Sequence, residues 1–226
     1  MDPIHHERAE WIIEEPSSPF KRLFLSERGG MLVVDRVDGM DTEVDTIPSL
    51  SYFSAVLRQK LASMQCTVPL NFFCGMHTEP EDSLDGACGI MRSLTSQLLR
   101  QKFNFDLSFL NLAFVDKIRA HNISHLCLWF RNLLKSAKAA AIFCIIDGIS
   151  RFDTEDKKSD VKSVLKYLQE LDKDIATTTP SSESNGVFLH VLVTSPKPSQ
   201  FSRRWIHTGQ SIIMPAKSWW PRDQNI

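Results

Sequence analysis

The sequence predicts a three-layer α/β domain built on a mainly parallel sheet of about five strands, and three observations carry that expectation. Short apolar runs alternate with amphipathic helical segments from residue 31 to residue 195. The runs are continuously apolar, as parallel strands covered on both faces are. The strongest run, AIFCIID (Ala141–Asp147), ends in an acid followed by Gly148, the pattern of a buried strand delivering a carboxylate to a sheet edge.

The elements follow in order. MLVVD (Met31–Asp35) is an apolar run closed by an acid, a first strand. Ser49–Ser63 places Leu50, Phe53, Val56, Leu57 and Leu61 at helical spacing, with Ser49 or Ser51 suited to cap it. VPLNFFC (Val68–Cys74) is a second strand. Gly86–Lys102 carries Ile90, Met91, Leu94, Leu98 and Leu99 on one stripe, a second helix. Ile123–Ala137 turns Leu126, Trp129, Phe130, Leu133 and Leu134 inward and leads into the Ala141 strand. Asp160–Asp174 repeats the pattern with Val164, Leu165, Leu168 and Leu171. TTTPSSESNG (Thr177–Gly186) has loop composition, and VFLHVLVTS (Val187–Ser195) is a fourth strand. SIIMP is a candidate fifth, edge strand. No repeat period is visible. The domain organisation is an N-terminal arm over 1–19, one α/β domain over 20–200, and a C-terminal tail over 201–226.

Bulk properties narrow the function classes. The 226 residues carry 26 basic and 27 acidic side chains, a net charge of −1. No global field favours nucleic acid or an anionic membrane, so neither is an expected partner. Five cysteines (Cys66, Cys74, Cys88, Cys127 and Cys144) form no CxxC pair, and Cys74 and Cys144 lie inside strand-like runs, as reduced thiols do. No segment has signal-peptide character or reaches the ~20 apolar residues of a bilayer span. The expectation is an intracellular, cytoplasmic protein.

Three segments carry a resemblance: NFFCGMHTEPEDSLDGACGIMRSLTSQLL, AIFCIIDGIS and HVLVTSPKP. Their order is similar to that in the nucleotide-binding domain of NACHT-type STAND proteins, P-loop NTPases abundant in filamentous fungi. FFCGMH, MRSL, IDGIS and TSP resemble more narrowly a degenerate fungal NACHT-like subgroup. The similarity covers about residues 20–198. It implies a P-loop-NTPase-like fold whose nucleotide-site positions are Asp38, Gly39, Asp147, Ser150, Thr194 and Ser195. Asp147 matches the magnesium-associated acid.

The departures from that pattern bear on function. A P-loop needs GxxxxGK[ST], in which glycine amides cradle phosphates, lysine meets their charge and a hydroxyl holds magnesium. After Asp35 this chain has RVDGMDTEVDTIPSLS, with one glycine, Gly39, and no lysine before Lys60. Asp35, Asp38, Asp41, Glu43 and Asp45 surround that turn with negative charge. Each close carboxylate–phosphate pair is repulsive by ~4 kcal/mol at intermediate screening. Ser150 and Arg151 stand where the family has a second acid and a water-polarising glutamate, and Pro196 stands where it has the sensor arginine. Without those groups the charge neutralisation behind phosphoryl transfer is missing.

Other residues have competing readings. Asp147 is either the remnant of a magnesium ligand or a cap of the turn that follows it. His77, Glu79, Glu81 and Asp82 are metal-capable, yet Pro80 and the loop composition favour a solvated acidic loop. No GxSxG elbow or activated thiol supports nucleophilic catalysis. Trp11 precedes the acidic–proline arm, and Trp205, Trp219 and Trp220 mark the tail either as packing against the domain or as a docking segment. The expectation is a non-catalytic pseudo-NTPase domain that scaffolds or regulates through protein partners, with no cofactor and no metal site. The alternative is an atypical ATP- or GTP-binding NTPase that holds Mg-ATP weakly through Arg58, Lys60, Arg203 or Arg204.

Overall fold

The computed structural model describes residues 19–24, 29–36, 49–79, 81–137, 139, 141–177, 187–197 and, as backbone, 211–214. Five parallel strands form one sheet: β1 (Gly30–Arg36), β2 (Thr67–Phe73), β3 (Ala141–Asp147), β4 (Phe188–Ser195) and β5 (Ser211–Met214). Their order is β2-β3-β4-β1-β5. The first four strands have seven or eight residues, while β5 adds four residues along β1. The expected α/β class and parallel sheet are therefore present.

Among the described residues there are six helices: α1 (Pro19–Phe24), α2 (Ser49–Ala62), α3 (Gly86–Leu99), α4 (Leu112–Arg119), α5 (Ile123–Ser136) and α6 (Lys158–Thr177). All but α4 pack against the sheet. Strand side chains alternate between faces. Val33, Leu70, Phe72, Cys144, Ile146 and Val191 pack under α3, α5 and α6 in the larger core. Leu32, Val34, Phe143, Ile145 and Leu192 face α1 and α2 in a smaller core with Phe20, Leu50, Phe53, Leu57 and Leu61. Burial on both faces is why the strands are apolar throughout.

The helical stripes agree with the expected ones, except that Val56, Leu99 and Trp129 are only half-buried. Helix α4 lies outside the expected pattern for a physical reason. Its inward stripe of Phe114, Val115 and Ile118 is only half-buried and spans barely more than one turn of an eight-residue helix, and Asn111 caps it through a 2.9 Å bond from the Phe114 amide. Short α1 is likewise too brief to show a period, yet Phe20 is buried edge-on against Phe53.

Pro69 sits within β2, which is tolerated because β2 is an edge strand. The chain leaves β1 for the far edge at β2, then leaves β4 for the opposite edge at β5. The carboxyl ends of β1 and β4 thus flank a topological switch point, where open α/β sheets place ligands.

Two buried positions have consequences for stability. Gly89, in the first turn of α3, runs under the Leu84 carbonyl, and a Cβ there would lie 1.6 Å from that oxygen. Backbone cannot yield as a side-chain tip does, so Gly89→Ala is expected to cost at least ~3 kcal/mol, measured by denaturant unfolding. His190 is 2% exposed and stacks on Phe143 at 4.5 Å, and its Nδ1 has no hydrogen-bond partner among the described residues. Burial lowers its pKa from 6.5 to about 4. The neutral ring thus supports the fold above pH 6.5, and that support is lost as pH falls through 6.5 toward 4, because the unfolded chain binds the proton first. At ~1.4 kcal/mol per tenfold proton concentration the loss approaches ~3 kcal/mol. Thermal melts at pH ~7 and ~5 should show this slope in the wild type and a shallower one in His190→Leu.

Candidate functional site

Asp147 ends β3 on the face that carries α2, at the carboxyl edge of the sheet. It is 3% exposed. A carboxylate this deep needs hydrogen-bond donors to replace its lost hydration. Three hydroxyls supply them. Ser51 Oγ donates to Oδ2 at 2.6 Å, and Ser54 Oγ donates to Oδ1 at 3.0 Å. Thr194 Oγ1, from the neighbouring strand β4, donates to Oδ1 at 2.6 Å.

Local structure explains this convergence. Ser51 and Ser54 are three residues apart in α2, so both project from one face of the helix. Thr194 shares its face of β4 with Leu192, which packs in the core beneath α2. The Thr194 hydroxyl also accepts the Gly148 amide at 3.0 Å, so its proton is free to go to Asp147. Gly148 turns the chain away with φ 74°, a conformation costing other residues ~1–2 kcal/mol. The Arg151 amide then closes the turn on the Gly148 carbonyl at 2.9 Å.

These bonds revise two expectations. Ser51 directs its hydroxyl to Asp147 rather than capping the amides of its own helix. Asp147 receives side-chain hydroxyls rather than the amides of the turn after it, since the Gly148 amide goes to Thr194. Sequence reasoning missed Ser51 and Ser54 as partners of Asp147. The available signal was the SxxS spacing beside an apolar stripe, which also fits ordinary solvent-facing serines.

The remaining expected positions divide. Thr194 joins Asp147 directly, whereas Ser195 points to the opposite face and donates to the Lys197 carbonyl at 2.5 Å. Ser150 lies in the turn Ile149–Phe152, with Oγ enclosed and unpartnered among the described residues. Arg151 is exposed. Asp35 is buried at the end of β1, in register with Ser195. Asp38 and Gly39, with Asp41, Glu43 and Asp45, lie outside the described residues, as do Trp11, Arg203, Arg204, Trp205, Trp219 and Trp220.

Arg58 is occupied elsewhere, its Nε donating to Asn71 Oδ1 at 2.7 Å. It lies seven residues beyond Ser51, about 10 Å along α2 and away from the carboxyl edge. Lys60 is farther along the same helix and exposed. Neither is brought to Asp147. Among the described residues, Asp147 forms no ion pair.

Around the site, burial and the Asp147 carboxylate push the Cys74 thiol up, so this cysteine is inert at neutral pH. All five cysteines are free, and burial raises Cys127 to about 12. In the acidic loop, His77 Nδ1 pairs with Asp82 at 2.9 Å while its ring stacks on Phe72. The Leu84 amide and then His77 hold the Asp82 carboxyl below its ordinary value. Among the described residues no three potential metal ligands cluster, and no helix is long and apolar enough to cross a membrane.

No protein-family model matches the chain, and no curated protein sequence matches it. The arrangement at Asp147 is chemically a tie: one carboxylate binds α2, β3 and β4 together. Asp147→Ala leaves three hydroxyls without their acceptor and should destabilise by ~3 kcal/mol in denaturant unfolding. Thr194→Val should cost ~1–3 kcal/mol. Their combined effect should fall short of the sum, because both remove the same bond.

Proposed function

We propose that this chain is a non-catalytic, NACHT-like pseudo-NTPase domain that works through protein contacts as a scaffold or regulator. The observation that carries the reading is the state of the Asp147 carboxylate. Its oxygens accept three hydroxyl hydrogen bonds from α2 and β4, so the group acts as a structural joint. Of the ~four acceptor positions on a carboxylate, those bonds occupy all but about one.

Further support comes from the start of α2. Placing Ser51 at the hydroxyl position of GxxxxGK[ST] puts Leu50 at the lysine position, and Leu50 is 3% exposed within the smaller core. An apolar side chain there supplies no charge to a phosphate. Ser150 and Arg151 after β3 supply no carboxylate to polarise water.

One observation favours a second reading, an atypical NTPase of the STAND class that binds Mg-ATP weakly. The first turn of α2, an acid and two hydroxyl-bearing positions meet at the carboxyl ends of β3 and β4, beside the switch point of a parallel sheet, and such switch points are where ligands bind.

Thermal melts with ATP or GTP, with and without magnesium, separate the two. The scaffold reading expects no rise in melting temperature at millimolar nucleotide. It also expects no phosphate release that disappears in Asp147→Asn. A reproducible magnesium-dependent rise, or hydrolysis abolished by that substitution, establishes the NTPase reading instead.

A further inference from the structure

Strand β2 is one edge of the sheet, and an edge strand offers unpaired amides and carbonyls to any strand that approaches. The direction of its backbone groups is set by one bond. The Ala141 amide of β3 donates to the Cys66 carbonyl, so even-numbered residues of β2 face β3. With a period of two, Thr67, Pro69, Asn71 and Phe73 direct their backbone groups outward.

The central outward residue is already paired, though not with a strand. Gln97 of α3 accepts the Asn71 amide on Oε1 at 3.0 Å and donates from Nε2 to the Asn71 carbonyl at 2.7 Å. A carboxamide has the same donor and acceptor as a peptide group. Gln97 therefore reproduces both bonds that a facing residue makes in a hydrogen-bonded antiparallel pair. Gln97 is itself steered by Ser93, one turn earlier, whose Oγ accepts Nε2 at 3.0 Å. From the opposite layer, Arg58 holds the Asn71 side chain at 2.7 Å. Two residues away, Pro69 has no amide hydrogen to offer.

We propose that Gln97 is an edge guard: its carboxamide occupies the position that Asn71 of a second copy of this chain would take, and so prevents antiparallel β2–β2 pairing. A strand paired with itself about a two-fold axis places Asn71 opposite Asn71, where each exchanges both backbone bonds with the other. Gln97 makes those bonds within its own chain and leaves the second copy no central pair at Asn71. The inference is independent of whether nucleotide binds. It also assigns a role to two of the motifs, because Asn71 precedes FFC and Gln97 precedes the final Leu-Leu of SQLL.

The test is sedimentation velocity over a concentration series, with a cooperative thermal melt as the criterion of folding. Gln97→Ala is expected to reach twice the wild-type mass as concentration rises. Adding Asn71→Pro, which removes the central amide hydrogen, is expected to restore the wild-type mass. Should Gln97→Ala lose its cooperative melt, Gln97→Met is scored by the same criteria, since it keeps length and volume while removing both bonds. A folded variant that keeps the wild-type mass at every concentration overturns the proposal, and so does association that persists in the Asn71→Pro double variant.

Discussion

A buried carboxylate governs how helix α2 meets the carboxyl edge of the sheet. Removing Asp147 from water is unfavourable by several kcal/mol unless donors replace the lost hydration. The arrangement that provides them brings α2 to one side of the carboxylate and β4 to the other. The rotation of α2 about its axis follows, because Ser51 and Ser54 must face Asp147 while Leu50, Phe53, Leu57 and Leu61 enter the core. So does the conformation after β3, since the Gly148 amide must reach Thr194 as the chain turns away. The same joint lies at the carboxyl edge of the sheet, where the ends of β3 and β4 meet the start of α2.

The sheet is covered unequally. Helices α3, α5 and α6 bury a broad core against one face, and α1 and α2 bury a smaller one against the other. The smaller layer contains a second buried polar group, His190, held neutral by desolvation and packed on Phe143. It thus contains both Asp147 and His190, one satisfied by hydroxyls and the other by stacking. The thicker layer relies on apolar packing, reinforced near the carboxyl edge by the Lys157–Asp85 ion pair at 2.7 Å. Its own irregularity is the close passage of Leu84 over Gly89, where glycine is required by the absence of space.

Much of this was legible beforehand because the governing signal is periodic burial. The apolar run Ala141–Asp147 and the stripe of Val164, Leu165, Leu168 and Leu171 each repeat one rule over many residues, so no single position decides them. Helix α4 was not legible because its stripe of Phe114, Val115 and Ile118 is short and only half-buried, and its Asn111 cap resembles any loop asparagine. The site was half legible. Asp147 and Thr194 stand at strand ends, where local pattern singles them out. Ser51 and Ser54 look like helix-surface serines until the helix is docked. Gln97 is the same case, a polar residue beside an apolar stripe whose role depends on which strand lies next to it.

The sequence alone determined the class of fold, the strands and the principal helices, since these follow from where apolar side chains recur along the chain. Tertiary structure alone decided the partners. Ser51 and Asp147 are 96 positions apart, and Thr194 lies 47 beyond Asp147. Hydrogen bonds act over about 3 Å and carry no trace in local composition. Only after burial has set helix against sheet does it become defined which hydroxyl meets which carboxylate.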